Sequence, residues 1–271
     1  MRFTIKAAAT CAASAVMAAV LASSALADGM PKRGSIRSAE PPPASRACTL
    51  SANVGLTSDY VFRGISQTAE GPAIQGGFDA TCGMFYVGTW ASALDFDDAA
   101  HLEIDLYAGI KPKTGPVTWD LGVIYYAYPN QNSAVELNMI EFKVGGSAEV
   151  WKGGTFGVTG FYSPDYTGEL GPTWTFEGAF SQALPQVGMF SPTFSALVGY
   201  QYSDDAAYSL AFGDDHYTYW NAGVTFGFLE KWSIDFRYWD SNLPSDGSIA
   251  ACGTALFQCD ERFVATLKFT Y

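Results

Sequence analysis

The chain has 271 residues, 48% of them hydrophobic and 15% aromatic, with 28 glycines and a formal charge of −12. That acidity excludes nucleic-acid binding by phosphate neutralisation. Although nearly half the chain is apolar, no run after the first 27 residues approaches the ~20 needed for a membrane helix.

Residues 1–27 read as a secretory signal peptide. Arg2 and Lys6 give a charged start, an apolar stretch follows from Ala7 to Leu21, and Ala25-Leu26-Ala27 is a small-x-small cleavage site. Cys11 leaves with it. Removing Arg2 and Lys6 leaves 13 basic residues against 27 acidic ones, a formal charge of −14. Residues 28–47 are rich in Pro, Ser and Arg and lack periodicity, so they are expected to form a flexible periplasmic arm. A single domain is expected over residues 48–271.

From Cys48 onward, apolar residues recur at every second position. Twelve strands are expected, near 49–64, 73–82, 84–94, 101–111, 117–128, 138–151, 155–162, 173–183, 192–202, 216–228, 231–239 and 263–271. The fourth shows the pattern clearly: Leu102, Ile104 and Leu106 alternate with Glu103, Asp105 and Tyr107. In the last, Phe263, Ala265, Leu267, Phe269 and Tyr271 share one face. Period-two alternation of this kind means a strand with different surroundings on its two faces.

Connections after even strands are mostly short, such as Trp151-Lys152-Gly153-Gly154. Those after odd strands are longer and mostly acidic, such as Tyr202 to Asp215. Aromatics gather at one end of the strands, at Trp119, Trp151, Phe156, Phe228, Trp232, Phe269 and Tyr271. An even strand count, short turns on one side, long loops on the other and an interfacial aromatic girdle describe an all-β, transmembrane, antiparallel up-and-down β-barrel of the outer-membrane type. The cell outer membrane of a Gram-negative bacterium is the expected location. Expected partners are outer-membrane lipid and the barrel-assembly machinery, the latter through the strand ending in Tyr271. A soluble sandwich is the structural alternative.

Cys48, Cys82, Cys252 and Cys259 form an even set in an exported chain, which suggests disulfides. Three pairings are possible. The strand layout favours Cys48–Cys82 at the periplasmic rim and Cys252–Cys259 in one external loop, with metal binding as the competing use.

Alternation points Asp59, Asp79, Glu103, Asp105, Asp120, Glu141, Glu149, Glu177 and Asp235 inward, together with Arg63, Lys143, Arg237 and Lys268. A basic residue facing lipid at mid-depth costs roughly 2–4 kcal/mol, so such groups belong to a polar interior. An excess of acids along a pore wall favours cations. The competing expectation is a closed barrel, its acids and bases paired across a lumen partly filled by Tyr107, Tyr126 and Phe161. No cofactor motif, metal-ligand spacing or catalytic serine context is present, so no enzyme is expected. His101 and His216 are the only histidines, both beside acidic loops. A surface lipid hydrolase using one of them is the remaining alternative.

Ser58-Asp59-Tyr60-Val61-Phe62-Arg63-Gly64-Ile65-Ser66-Gln67-Thr68 resembles the hallmark of the TorF-type porins of proteobacteria, also known as the gcw_chp conserved hypothetical outer-membrane proteins. The resemblance continues through Pro72–Asp79 and Phe85–Trp90 and covers about residues 50–271. It implies an exported outer-membrane protein with a pore role for small solutes. On this reading Tyr60 and Phe62 face lipid, Gly64 allows a bend where the first strand ends, and Asp59 and Arg63 stand at the external mouth.

Overall fold

A computed structural model describes residues 48–271 except 98, 130, 132–135 and 253–256. The signal peptide, Cys11 and the basic arm lie outside the described residues. Twelve long strands form one antiparallel sheet: β1 (Thr49–Thr57), β2 (Ala73–Cys82), β3 (Phe85–Ala93), β4 (Leu102–Ile110), β5 (Val117–Ala127), β6 (Met139–Trp151), β7 (Gly154–Ser163), β8 (Thr173–Ala183), β9 (Ser191–Tyr202), β10 (His216–Phe228), β11 (Trp232–Ser241) and β12 (Arg262–Thr270). Each pairs with its neighbours in sequence, and β1 pairs with β12, from Asn53↔Thr270 to Thr57↔Thr266. The sheet is therefore a closed barrel with no free edge. Tyr271 completes the seam, its amide donating to the Ala52 carbonyl at 2.8 Å.

The alternation in sequence becomes two surfaces. Val54, Phe78, Leu106, Val144, Val158 and Phe176 point outward and are each more than half exposed. Apolar side chains at that exposure have no counterpart on a water-soluble barrel and match a lipid-facing band. Trp119, Trp151 and Trp232 stand exposed at the periplasmic ends, as expected. Trp174, Tyr200 and Phe263 supply large rings at the opposite ends.

Both disulfides favoured by the strand layout are present, Cys48–Cys82 across the β1–β2 rim and Cys252–Cys259 within the loop before β12. The second is folded inward rather than displayed on the loop surface. Cys252 and Cys259 are buried. The loop after β9 contains a feature absent from the strand reading, helix α1 (Ala206–Phe212). Asp205 caps its start by accepting from the Ala207 amide, and Gly213 ends it at φ 80°.

The expected first strand of 49–64 is too long. β1 stops at Thr57, and the chain turns into the barrel as a short hairpin, Val61–Phe62 paired with Ile65–Ser66. Its two-residue turn is Arg63-Gly64, with φ of 47° and 85°. Positive φ at both positions is the type I′ geometry that suits a tight hairpin. Tyr60 and Phe62 consequently do not face lipid. Each is 3% exposed, inside the barrel.

Candidate functional site: the lumen and its hairpin

The hairpin fills the external half of the lumen. Every residue from Asp59 to Gln67 is buried. Arg63 reaches across to β6, where its two terminal nitrogens donate to Glu141 at 2.9 and 3.0 Å. The guanidinium also lies 4.5 Å from the Phe62 ring centroid and 5.3 Å from that of Phe161. A planar, delocalised cation tolerates such a site better than an ammonium, because it serves two carboxylate oxygens and stacks on rings at once. Tyr126 adds a third hydrogen bond to Glu141, at 2.9 Å.

Asp59 holds the hairpin's base. One of its oxygens accepts from Ser66 at 2.7 Å and Thr68 at 2.8 Å, and the other accepts from Arg262 at 3.0 Å. Thus Asp59 and Arg63 do not pair with each other. Each is anchored to a different part of the wall. Arg262, missed in the sequence reading, falls in register with the inward Trp239. Its position at the very start of β12 hid its direction.

External loops close over the hairpin. The Ser66 amide donates to the Gln258 carbonyl, and the Asp95 amide donates to the Gln67 carbonyl. Phe96 packs against Tyr128 and Phe257, and Phe212 stacks on Tyr217. A cavity of about 20 Å³, room for about one water, lies beside Arg63, Glu177 and Tyr219.

The periplasmic half is organised differently, by short polar pairs along the wall. Tyr107 donates to Asp79 at 2.6 Å, Tyr86 to Asp120 at 2.7 Å, and Lys143 to Asp120 at 2.9 Å. Arg237 binds Asp235 through two nitrogens and also reaches Asn221 and Ser195. Tyr219 donates to Glu177 at 2.6 Å nearer mid-height. By position along the strands and hairpin, Asp59, Glu103, Asp105, Glu141 and Glu177 share the outer half with Arg63, Arg262, Lys143 and Arg237, and Asp79, Asp120 and Asp235 share the inner half with Lys268. Among these inward groups acids outnumber bases in both halves. Glu149 stands at the periplasmic rim, where it accepts from the Gly153 amide.

On the external surface, Asp214, Asp215 and His216 place ligand-type atoms within 4.8 Å of one another. His216 Nδ1 is 2.6 Å from Asp215, and this hydrogen bond holds the Asp215 carboxyl below the usual carboxylate range. Both aspartates are well exposed. His101, also exposed, lies at the opposite loop edge before β4.

Residues 42–271 match the family described as bacterial protein of unknown function, Gcw_chp. The chain belongs to the Gcw_chp family. Members of this family thus include a closed barrel with an inward hairpin built from the Asp59–Gln67 motif. Among solved structures, the KdgM porin is similar at 7% identity, covering 82% of this chain and 99% of that one with a TM-score of 0.52. The NanC porin is similar at 11% identity, covering 82% and 98% with a TM-score of 0.53. A search of curated proteins gave no match. At these identities the likeness establishes the fold alone, a closed antiparallel β-barrel.

Proposed function

We propose that this chain is an outer-membrane channel of the TorF porin type, passing small solutes and favouring cations. The observation that carries the reading is the acid excess among the inward groups, eight carboxylates against five basic side chains, since an acidic wall favours cations. Asp59, Glu103, Asp105, Glu141 and Glu177 supply the negative field of the outer half, and Asp79, Asp120 and Asp235 that of the inner half, with Lys143 and Arg237 near mid-height. The Asp59–Gln67 hairpin is the constriction, and its seating sets how much passes. Porin folds among the similar solved structures support the channel reading. Barrel insertion through the terminal strand and contact with outer-membrane lipid follow from the same reading.

Near-complete burial of the hairpin favours a second reading, a closed barrel whose acidic external loops bind a partner. One experiment separates the two. The mature chain is refolded into a planar bilayer under a salt gradient. Stepwise conductance with a reversal potential of cationic sign supports the channel. A silent wild type that conducts only after residues 59–67 are replaced by a short Gly-Ser linker supports the closed barrel. A barrel silent in both forms overturns the channel reading.

A further inference from the structure

Asp105 is a buried acid of the outer half with no ion pair among the described residues. Asp105 points inward from β4 and is 3% exposed. Its neighbours in register are Trp90 on β3 and Tyr126 on β5. Its Oδ1 atom is fully enclosed and accepts no hydrogen bond. Glu103 stands two residues earlier on the same inward face of β4 and is itself fully buried. Among the described residues no basic nitrogen lies within 4.0 Å of an Asp105 oxygen. The guanidinium groups of Arg63 and Arg262 pair with other acids. Arg63 serves Glu141 through both terminal nitrogens, and Arg262 serves Asp59 and Glu70.

A buried carboxylate oxygen with no donor and no counter-ion is costly. The surroundings show what would relieve it. Tyr60 from the hairpin arm donates to Glu103 at 3.0 Å, and the hydroxyl of Tyr128 is buried and neither accepts nor donates a hydrogen bond among the described residues. Glu141 lies on the next strand but one. All of these groups offer oxygen, with no sulfur and no imidazole. An oxygen-only set with two carboxylates at its centre suits a hard divalent cation rather than a transition metal.

We propose that Asp105 and Glu103 form a calcium-class cation site inside the external half of the barrel, with the Tyr60 hydroxyl at its edge. The site goes beyond solute passage and stands whether or not the barrel conducts. Because Tyr60 belongs to the hairpin arm, a bound cation would also brace the hairpin against β4.

The test uses the refolded mature barrel, stripped with chelator and titrated with Ca2+. Thermal unfolding and equilibrium dialysis with radioactive calcium are read in parallel. The expected result is one bound calcium per barrel and a midpoint that rises with the logarithm of calcium concentration. Asp105→Asn should lose both effects. Asp214→Asn with Asp215→Asn, on the outer surface, should keep both. Should Asp105→Asn fail to fold, Glu103→Gln and the wild-type dialysis still decide the matter. The proposal is overturned if wild type binds no calcium, or if the surface variant rather than Asp105→Asn loses it. It is equally overturned if the midpoint responds to pH but not to calcium, since a single proton would then satisfy the acid pair.

Discussion

Arg63 and Glu141 are 78 residues apart in sequence, yet they meet through two hydrogen bonds with side chains each 1% exposed. Taking both charges out of water costs several kcal/mol per ion, and only near-ideal geometry offsets it. The bidentate fit, the Phe62 and Phe161 rings and the Tyr126 hydroxyl supply that geometry.

Removing the cation alone should therefore be severe. Arg63→Met leaves Glu141 buried without its partner and should cost about 3–5 kcal/mol in urea unfolding of the refolded barrel. Adding Glu141→Leu should recover most of that loss. A double variant no more stable than Arg63→Met would show that the pair is not the main tie.

Gly64 should tolerate no side chain. Its φ is 85°, and an added Cβ would lie 2.9 Å from the Ser241 Cβ and 3.1 Å from the Tyr219 Cβ. Gly64→Ala combines backbone strain with a clash and should cost roughly 1–3 kcal/mol. At Gly83 φ is also positive, 65°, but nothing lies within 4 Å. Gly83→Ala pays only the backbone cost and should be the milder change by the same unfolding assay.

Charge on the outer face should destabilise by depth. Val158 lies mid-strand in β7 and is 55% exposed. Val158→Arg should cost roughly 2–4 kcal/mol when the barrel is refolded into lipid vesicles. Little change would mean that this face does not meet lipid.

The two disulfides should differ in weight. Cys48–Cys82 spans 34 residues and Cys252–Cys259 spans 7. In the chain-entropy view the longer loop gains more, so Cys48→Ser with Cys82→Ser should cost about 3–4 kcal/mol. Replacing the shorter bridge should cost about 2 kcal/mol. The reverse order would place the inward-folded loop at the centre of stability.

Much of this protein was legible in the chain because a barrel wall obeys a local rule. Glu103, Asp105 and Glu141 alternate with Leu102, Ile104 and Ile140, so their inward direction could be read residue by residue. The same rule gave all twelve barrel strands and the Cys48–Cys82 neighbour relation. It failed at Tyr60 and Phe62. These two continue the alternation of Val54 and Leu56, and Asp59, the one charged residue between, keeps the inward phase of a continuing strand. What turns the chain back is the type I′ turn at Arg63-Gly64, and arginine is an unusual residue at positive φ. Helix α1 was hidden for a similar reason: seven residues in an acidic loop are too few for a helical period to register.

The sequence by itself determined the wall: which residues face out, which face in, how the strands follow one another and which cysteines lie side by side. These depend on period two and on neighbours along the chain. Only the tertiary structure decided what occupies the interior. Arg63 finding Glu141 and Asp59 finding Arg262 are relations across a closed lumen between residues 78 and 203 positions apart in the chain. Closing the barrel brings those groups out of water together, and the cost of burying each charge then selects which ones pair.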